Sequence, residues 1–496
     1  MDFLAAANID KRKEADLLVL PFWQGKKKAE PAATFSSFAD HYNSPIDLKD
    51  FSGKEGETTL LFMQQEQEPR LALLGLGDPE KINVEKLRRA FASLVKICRT
   101  KKIRKLNIVM PHIGTLPERN TLKGVVEGLL LANYAFDTLK SDSIKSEPSV
   151  LLSHTTLIGI DKEELAEAKQ LSKIAEGVYL TRDLVNNNAC TITPQQLGQV
   201  AKDLSKKFPR IKTTVFDRKR IQKEKMGLLL AVSQGSPREP AFIIASYKGN
   251  PKSKDHTVLI GKGVTYDTGG LNLKPTGSME TMKCDMAGAA AVLGTLHVLA
   301  SLGLKVNVTG VIPSTENTIG SLSMKPGDVY KSLLGKTIEI ANTDAEGRLI
   351  LADAFTYAVD NLNPSRIIDI ATLTGAIEVA LGSEVTGLMA TDDSLAESLM
   401  QSGFDTYERL CRFPIYEEYR DALKSDIADM RNVGGRPGSA IIAASFLKEF
   451  VGNVPWAHLD IAGTAFLSDG RRYLPKFASG IGVRLFIDFL MKFEHS

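Results

Sequence analysis

Nowhere in the 496 residues do about 18 consecutive apolar side chains occur, so no segment reads as a membrane-spanning helix. The start, MDFLAAANIDKRKEADLL, offers only a short apolar stretch between charged residues, which is not the pattern of a signal peptide. Cysteine is scarce: Cys98, Cys190, Cys284 and Cys411 are scattered without a CxxC pair, excluding a zinc ribbon or a disulfide framework and fitting a reducing compartment. A cytoplasmic protein is the expectation. His41, His112, His154, His256, His297, His458 and His495 include no HExxH and no close pair, which argues against a histidine zinc-protease site. Charge of one sign is lacking too. A formal net charge of +3 makes no case for a nucleic-acid or membrane-surface protein. The local clusters KKIRK (101–105), KFPRIK (207–212) and KSK (252–254) read as solvated helix ends or loops. Phosphate-cradling loops are missing as well: GKGVTY (261–266) and GLGDPE (75–80) lack the last glycine of GxGxxG. LGKT (334–337) has Tyr330 where a P-loop needs its first glycine.

What is present is the composition of a globular protein, 43% hydrophobic and 24% charged, in a chain long enough for two cores. DLLVLPF, TLLFMQ, LALLGLG, KLNIVMP and LLSHTTLIGI read as strands, and VEKLRRAFASLVKIC and LKGVVEGLLLANYAF as helices. That alternation predicts a smaller N-terminal α/β domain over 1–160, with DTLKSDSIKSEPSV as a surface loop before its last strand. Strong helix formers with helical periodicity predict a linker helix over 161–187. Beyond it, TTVFD, AFIIASY, HTVLIGKG, VNVTGVIP, SRIIDIATL and WAHLDIAG are apolar β-rich runs separated by helices such as AGAAAVLGTLHVLASLG. They predict a larger C-terminal domain, 188–496, with a mostly parallel central sheet flanked by helices.

Ligands of open α/β sheets bind beyond the carboxyl ends of strands, so polar residues directly after apolar runs locate the chemistry. Two segments qualify. In LIGKGVTYDTGGLNLKPTGSMETMKCDMAG (259–288), Lys262, Asp267, Lys274 and Asp285 punctuate glycine-rich turns. In IEIANTDAEGRLILADA (338–354), Asp344, Glu346 and Arg348 alternate, and in an extended stretch they would share one side. Carboxylates crowded together repel unless a cation neutralises them, and four of them are enough to hold two metals. With histidine excluded, the ligands must be mainly oxygen. A carboxylate-bridged dinuclear hydrolase results, in which water is acidified and a carbonyl polarised. Simpler readings stand beside this one. Asp344 and Glu346 would also suit the acidic start of a helix over LILADAFTYAV, Asp285 the cap of a helix from Ala287, and the lysines ordinary solvation.

Taken together, the segments resemble the leucyl aminopeptidase family. NTDAEGRL matches its signature without a mismatch, and GKGVTYDTGGLNLKP…MKCDMAG matches its first metal-binding block, with Tyr266 in place of phenylalanine and Thr268 in place of serine. ATLTGA (371–376) and WAHLDIAG (456–463) fit as well, while RDLVNNNACTITPQQL has Asn187 and Asn188 where the family commonly has proline. The resemblance implies a metalloaminopeptidase that releases leucine and other apolar residues from peptides with a free N-terminus. Asp267 and Glu346 would bridge two divalent ions, manganese or zinc, with magnesium or cobalt as alternatives. Lys262, as a neutral amine, and Asp285 would complete the looser metal site, and Asp344 the tighter one. Lys274 would polarise the scissile carbonyl, and Arg348 would hold a bicarbonate acting as general base. Met282, Asn342, Thr372, Leu373 and Gly375 would line the side-chain pocket or hold the substrate backbone. Family members are typically homohexamers.

Two other functions compete. A two-metal phosphoesterase would use similar carboxylates but usually adds histidine, and none lies near these ligands in sequence. DNA binding, which some bacterial relatives combine with peptidase activity, gains no support from the small net charge; salt-dependent gel shifts test it.

Overall fold

A computed structural model describes residues 1–32, 50–63, 67–141 and 149–494. His41, His495, the last residue of TLLFMQ and the centre of the surface loop expected at 137–150 lie outside the described residues. The chain divides into two compact units, 1–175 with 469–475, and 176–468 with 476–496. The helix expected over 161–187 runs as Lys162–Asn186, and the division falls inside it.

In the first unit the sheet order is Asp2–Ala6, His154–Ile158, Lys105–Val109, Leu17–Trp23, Arg70–Gly75, Thr58–Phe62. All of these pairs are parallel except the last, and the central strand LLVLPFW is buried along almost its whole length, as a strand covered on both faces must be. Helices Val84–Thr100 and Glu118–Ala132 supply apolar faces to the same core. The segment 469–475, which the sequence places in the second domain, groups with this unit instead. Its Tyr473 hydroxyl donates to Glu85 (3.0 Å), beside the buried Arg88–Glu127 ion pair. A pairing between residues so far apart leaves no local trace in sequence.

The second unit is built on a nine-stranded mixed sheet. Its centre is parallel: Trp456–Asp460, Arg366–Ala371, Thr257–Gly261 and Asn307–Asn317 run side by side, with Gly263–Asp267 continuing parallel to the end of Asn307–Asn317. Antiparallel neighbours flank this centre, Ala241–Lys248 on one side and Thr386–Ala390 on the other. The expected α/β class, two domains with a mostly parallel catalytic sheet, is what forms.

Helix Ala287–Leu302 is buried on every face, which its small apolar sequence AGAAAVLG permits. A Cβ on Gly288 would lie 2.0 Å from the Ile370 carbonyl oxygen, so only glycine lets the helix start this close to the sheet. That contact brings the residues just before the helix, Asp285 among them, to the carboxyl ends of the central strands.

Candidate metal centre

The parallel strands end together, and each end delivers a functional group. Lys262 directly follows strand Thr257–Gly261, Asp267 closes Gly263–Asp267, Thr372 and Leu373 follow Arg366–Ala371, and Asp460 closes Trp456–Asp460. The two glycines after Asp267 take positive φ (Gly269 +86°, Gly270 +66°), a conformation open to glycine, and turn the chain back towards the site. Lys274 returns on the far side of that turn, its backbone N–H bonded to Thr268 O at 2.9 Å.

Asp344 lies in the turn before helix Glu346–Leu362, while Glu346 and Arg348 are in its first turn. The extended alternation expected for these three residues is therefore not how they meet. The run LILADAFTYAV has a buried apolar side and propagates the helix back to Glu346, so the helix-start reading is correct and coexists with the site. The helix dipole favours a carboxylate at that position. The cap reading of Asp285 fails. Helix Ala287–Leu302 has no side-chain cap, and Asp285 instead accepts from Thr372 Oγ1 (2.7 Å) and Lys262 Nζ (2.8 Å).

Asp267, Asp344 and Glu346 present carboxylate oxygens within 4.8 Å of one another. Asp285 joins them through Lys262, whose Nζ lies 2.8 Å from both Asp285 and Glu346 and donates to Thr372 O at 2.8 Å. Lys274 Nζ lies 2.8 Å from Asp267 and 2.6 Å from Asp344. Both lysines are drawn into the acidic cluster, Lys274 keeping some exposure to solvent. Lys262 is 3% exposed, and Asp267, Asp285 and Glu346 are buried with it.

The electrostatics are lopsided, because these four carboxylates face only two ammonium groups. Burial pushes Glu346 up from the usual carboxylate range, and Asp267 adds to the rise. Burial likewise raises Asp285 against the pull of Lys262, and raises Asp344 with help from Asp267. Burial alone would lower both lysines. Asp285, Glu346 and Asp267 outweigh it for Lys262, as Asp267, Glu346 and Asp344 do for Lys274, so both are held above their ordinary values. Glu346, Asp285, Asp344 and both lysines are shifted towards holding a proton, which means the site is short of positive charge. Asp285 Oδ2 and Glu346 Oε2 are buried with no hydrogen-bond partner. Buried orphan carboxylate oxygens in an electron-rich pocket are the donor set that hard divalent cations take.

Arg348, also buried, is lowered by its burial to about 10, with Glu346 and Asp460 opposing the fall, and stays protonated at neutral pH. Its Nη1 donates to Asn432 O at 2.8 Å, while Nε is buried without a partner. A buried cation with an unused N–H suits a small anion.

Family models match both units: the cytosol aminopeptidase family N-terminal domain over residues 19–143 and its catalytic domain over 179–487. The chain belongs to the cytosol aminopeptidase family. It is 56% identical to a probable cytosol aminopeptidase of Protochlamydia amoebophila across 99% of this chain and 98% of the relative. It is 48% identical to one from Chlamydia abortus, across 99% of both chains. Among solved structures, the bottromycin maturation enzyme BotP superposes with a TM-score of 0.85 at 30% identity, covering 97% of this chain and all of that one. BotP in complex with Mn gives 0.84. The chain is accordingly a metal-dependent aminopeptidase, a hydrolase, and the family is the one its NTDAEGRL signature resembles.

The residues expected around a substrate of this aminopeptidase are placed unevenly. Met282 begins a short 3-10 turn ahead of Asp285, and Leu373 is half-buried with its Cδ1 3.0 Å from where a Cβ on Gly347 would be. Gly375, exposed at the start of helix Gly375–Leu381, has open space where a side chain would project. Thr372 is committed to Asp285 and Lys262, and the Asn342 side chain accepts from Asp344 N at 2.8 Å, so both brace the site.

Three supporting residues escaped sequence reasoning. Asn317 Nδ2 donates to Asp267 Oδ1 (2.8 Å) and Thr343 O (3.0 Å). Thr343 Oγ1 donates to Gly269 O (2.6 Å) and accepts from Asn272 N (2.8 Å), joining the two acidic segments. Asp460 accepts from Leu373 N (3.0 Å) and Thr374 Oγ1 (2.7 Å), pinning the loop that holds Thr372. Such partners orient ligands, and their loss typically costs about 10–100-fold in metal affinity or activity. Thr343 lies in NTDAEGRL and Asp460 in WAHLDIAG, the signals available for them; Asn317 carries none.

Gly347, between Glu346 and Arg348, has a further constraint: a Cβ there would meet Lys262 Cε at 2.7 Å and Nζ at 2.8 Å. Gly347→Ala is expected to displace the flexible Lys262 head from Asp285 and Glu346 rather than to unfold the helix. Aminopeptidase turnover should fall by about tenfold or more with an unchanged circular dichroism spectrum. Wild-type turnover in that variant would show that Lys262 need not sit where the structure puts it.

Proposed function

We propose that the chain releases N-terminal amino acids, preferentially leucine and other apolar residues, from peptides with a free α-amine. The carrying observation is the set of four clustered carboxylates, three of them deeply buried, that two lysines leave under-neutralised. Asp267 and Glu346 would hold both divalent ions, Asp344 one of them, and Lys262 and Asp285 the other. Manganese, zinc, cobalt and magnesium all accept such ligands. When bound, the ions supply water activation and spread the negative charge that develops on the carbonyl oxygen.

The chain's own groups do the rest. Lys274, protonated and partly open to solvent, donates to the carbonyl oxygen as it becomes an oxyanion. Arg348, with its unused Nε–H, would hold a bicarbonate that supplies a base for the attacking water. The substrate's free α-amine would be held at the metal site, which orients the first peptide bond and restricts cleavage to the N-terminus. Met282 and Leu373 give the side-chain pocket apolar walls, with open space at Gly375; one methylene more or less changes the selectivity of such a pocket by only about 1–3 kcal/mol, so preference is graded. Assembly as a homohexamer and action in the cytoplasm complete the reading. No helix of the described residues is long and apolar enough to cross a membrane.

Turnover of a leucyl amide, an alanyl amide and a phosphate monoester separates the alternatives. The first should be hydrolysed fastest, the second more slowly and the third not at all. Phosphate release without leucine release would replace this reading with a phosphoesterase.

A further inference from the structure

Asn432 lies far from both acidic segments in sequence and carries no charge, yet it is fully buried and hydrogen-bonded on every polar side. It directly follows the short strand Met430–Arg431, which pairs in parallel with Thr337–Glu339, and its own N–H bonds to Glu339 O at 3.0 Å. That pairing aims it at the turn leading into helix Glu346–Leu362. Its Oδ1 accepts from Ala341 N (2.9 Å) and Asn342 N (3.3 Å), and its Nδ2 donates to Asn342 O (2.7 Å) and, at 3.5 Å, to Ala345 O. Its backbone oxygen meanwhile accepts from Arg348 Nη1 at 2.8 Å.

We propose that Asn432 is the positioning residue that sets the Asp344 turn and the Arg348 guanidinium in one fixed register. The inference rests on the functional reading above. The 341–345 turn has neither helix nor strand to hold it, so its N–H and C=O groups need outside partners. One side-chain amide, with an acceptor and a donor in a single plane, satisfies both kinds at once. A hydroxyl has a single donor hydrogen and an aliphatic side chain none, so neither makes all four of these bonds. Because the residue that clamps the turn also anchors Arg348, the carboxylate of Asp344 and the guanidinium cannot drift independently. A metal ligand and an anion holder separated by more than about 1 Å from their productive geometry lose most of their effect.

The test uses the metal-stripped full-length protein, Mn2+ titration by calorimetry, and steady-state kinetics on a leucyl amide. Asn432→Ala should weaken Mn2+ binding by about tenfold or more and lower kcat by a similar factor, with KM within about threefold of wild type. Asn432→Asp is nearly isosteric and keeps the acceptor for the Ala341 and Asn342 N–H groups. It loses the donor to Asn342 O, and should also weaken Mn2+ binding while folding normally. Leu490→Ala, which removes buried packing in helix Val483–Met491 away from the site, should lower the melting temperature and leave Mn2+ affinity unchanged. The inference is overturned if either Asn432 variant binds Mn2+ as wild type does, if Leu490→Ala reproduces the loss, or if neither Asn432 variant folds, which would assign the residue to general stability. Wild-type protein that binds no divalent ion at all would instead overturn the functional reading itself.

Discussion

Lys274→Ala lowers kcat for leucyl amide hydrolysis by about 10²–10³-fold in metal-replete protein, the usual cost of removing one donor to a developing oxyanion. KM changes little, because the hydrogen bond strengthens only as charge moves onto the carbonyl oxygen. The structure adds a signature that separates this role from a structural one. Lys274 Nζ touches Asp267 and Asp344, neutralising both when no metal is present. Its loss therefore lowers the melting temperature of metal-stripped protein, where the two carboxylates are left uncompensated, but has little effect once cations occupy the site. Melting curves with and without metal, alongside steady-state kinetics, check both halves. Full activity in the variant would sink the mechanism.

Metal removal produces the second large effect: chelation abolishes turnover, and zinc, manganese, cobalt or magnesium supplied singly restores it to different degrees. Divalent ions should also raise the melting temperature, since a ligand at about 100 times its Kd stabilises the folded state by about 2.7 kcal/mol. Glu346→Ala should abolish activity and flatten that metal-dependent rise while leaving the fold intact. The carboxylate it removes is buried beside Lys262 and within reach of Asp267 and Asp344, so the loss falls on both sides of the cluster. A chelated protein that still turns over at the wild-type rate would show that the clustered carboxylates serve some other purpose.

The acidic segments were legible as sequence because each follows an apolar strand and packs its charges into a few residues. Even so, local pattern misjudged how those charges meet. Asp344, Glu346 and Arg348 looked like alternate residues of an extended stretch, whereas Glu346 and Arg348 belong to a helix whose propagation is driven by the apolar run after them. Asp285 looked like a helix cap and is held by Lys262 and Thr372. Lys262 and Lys274 looked like solvated side chains and are instead drawn into the acidic cluster. A lysine's surroundings are set by whatever folds over it, which its neighbours in sequence do not reveal.

Strand and helix periodicity, the absence of cysteine and histidine motifs, and the signature NTDAEGRL were enough to determine the α/β class, the family and the acidic character of the site. They could do so because each depends on side chains within a few residues of one another. Only the tertiary structure decided which residues hold those groups still. Asn317 reaches Asp267 across 50 positions, Asn432 reaches Arg348 across 84, and Asp460 reaches Leu373 across 87. Parallel strands bring such distant residues together because each connection must cross the sheet before the next strand can pair. The partners that position a site built at the strand ends are for that reason remote in sequence.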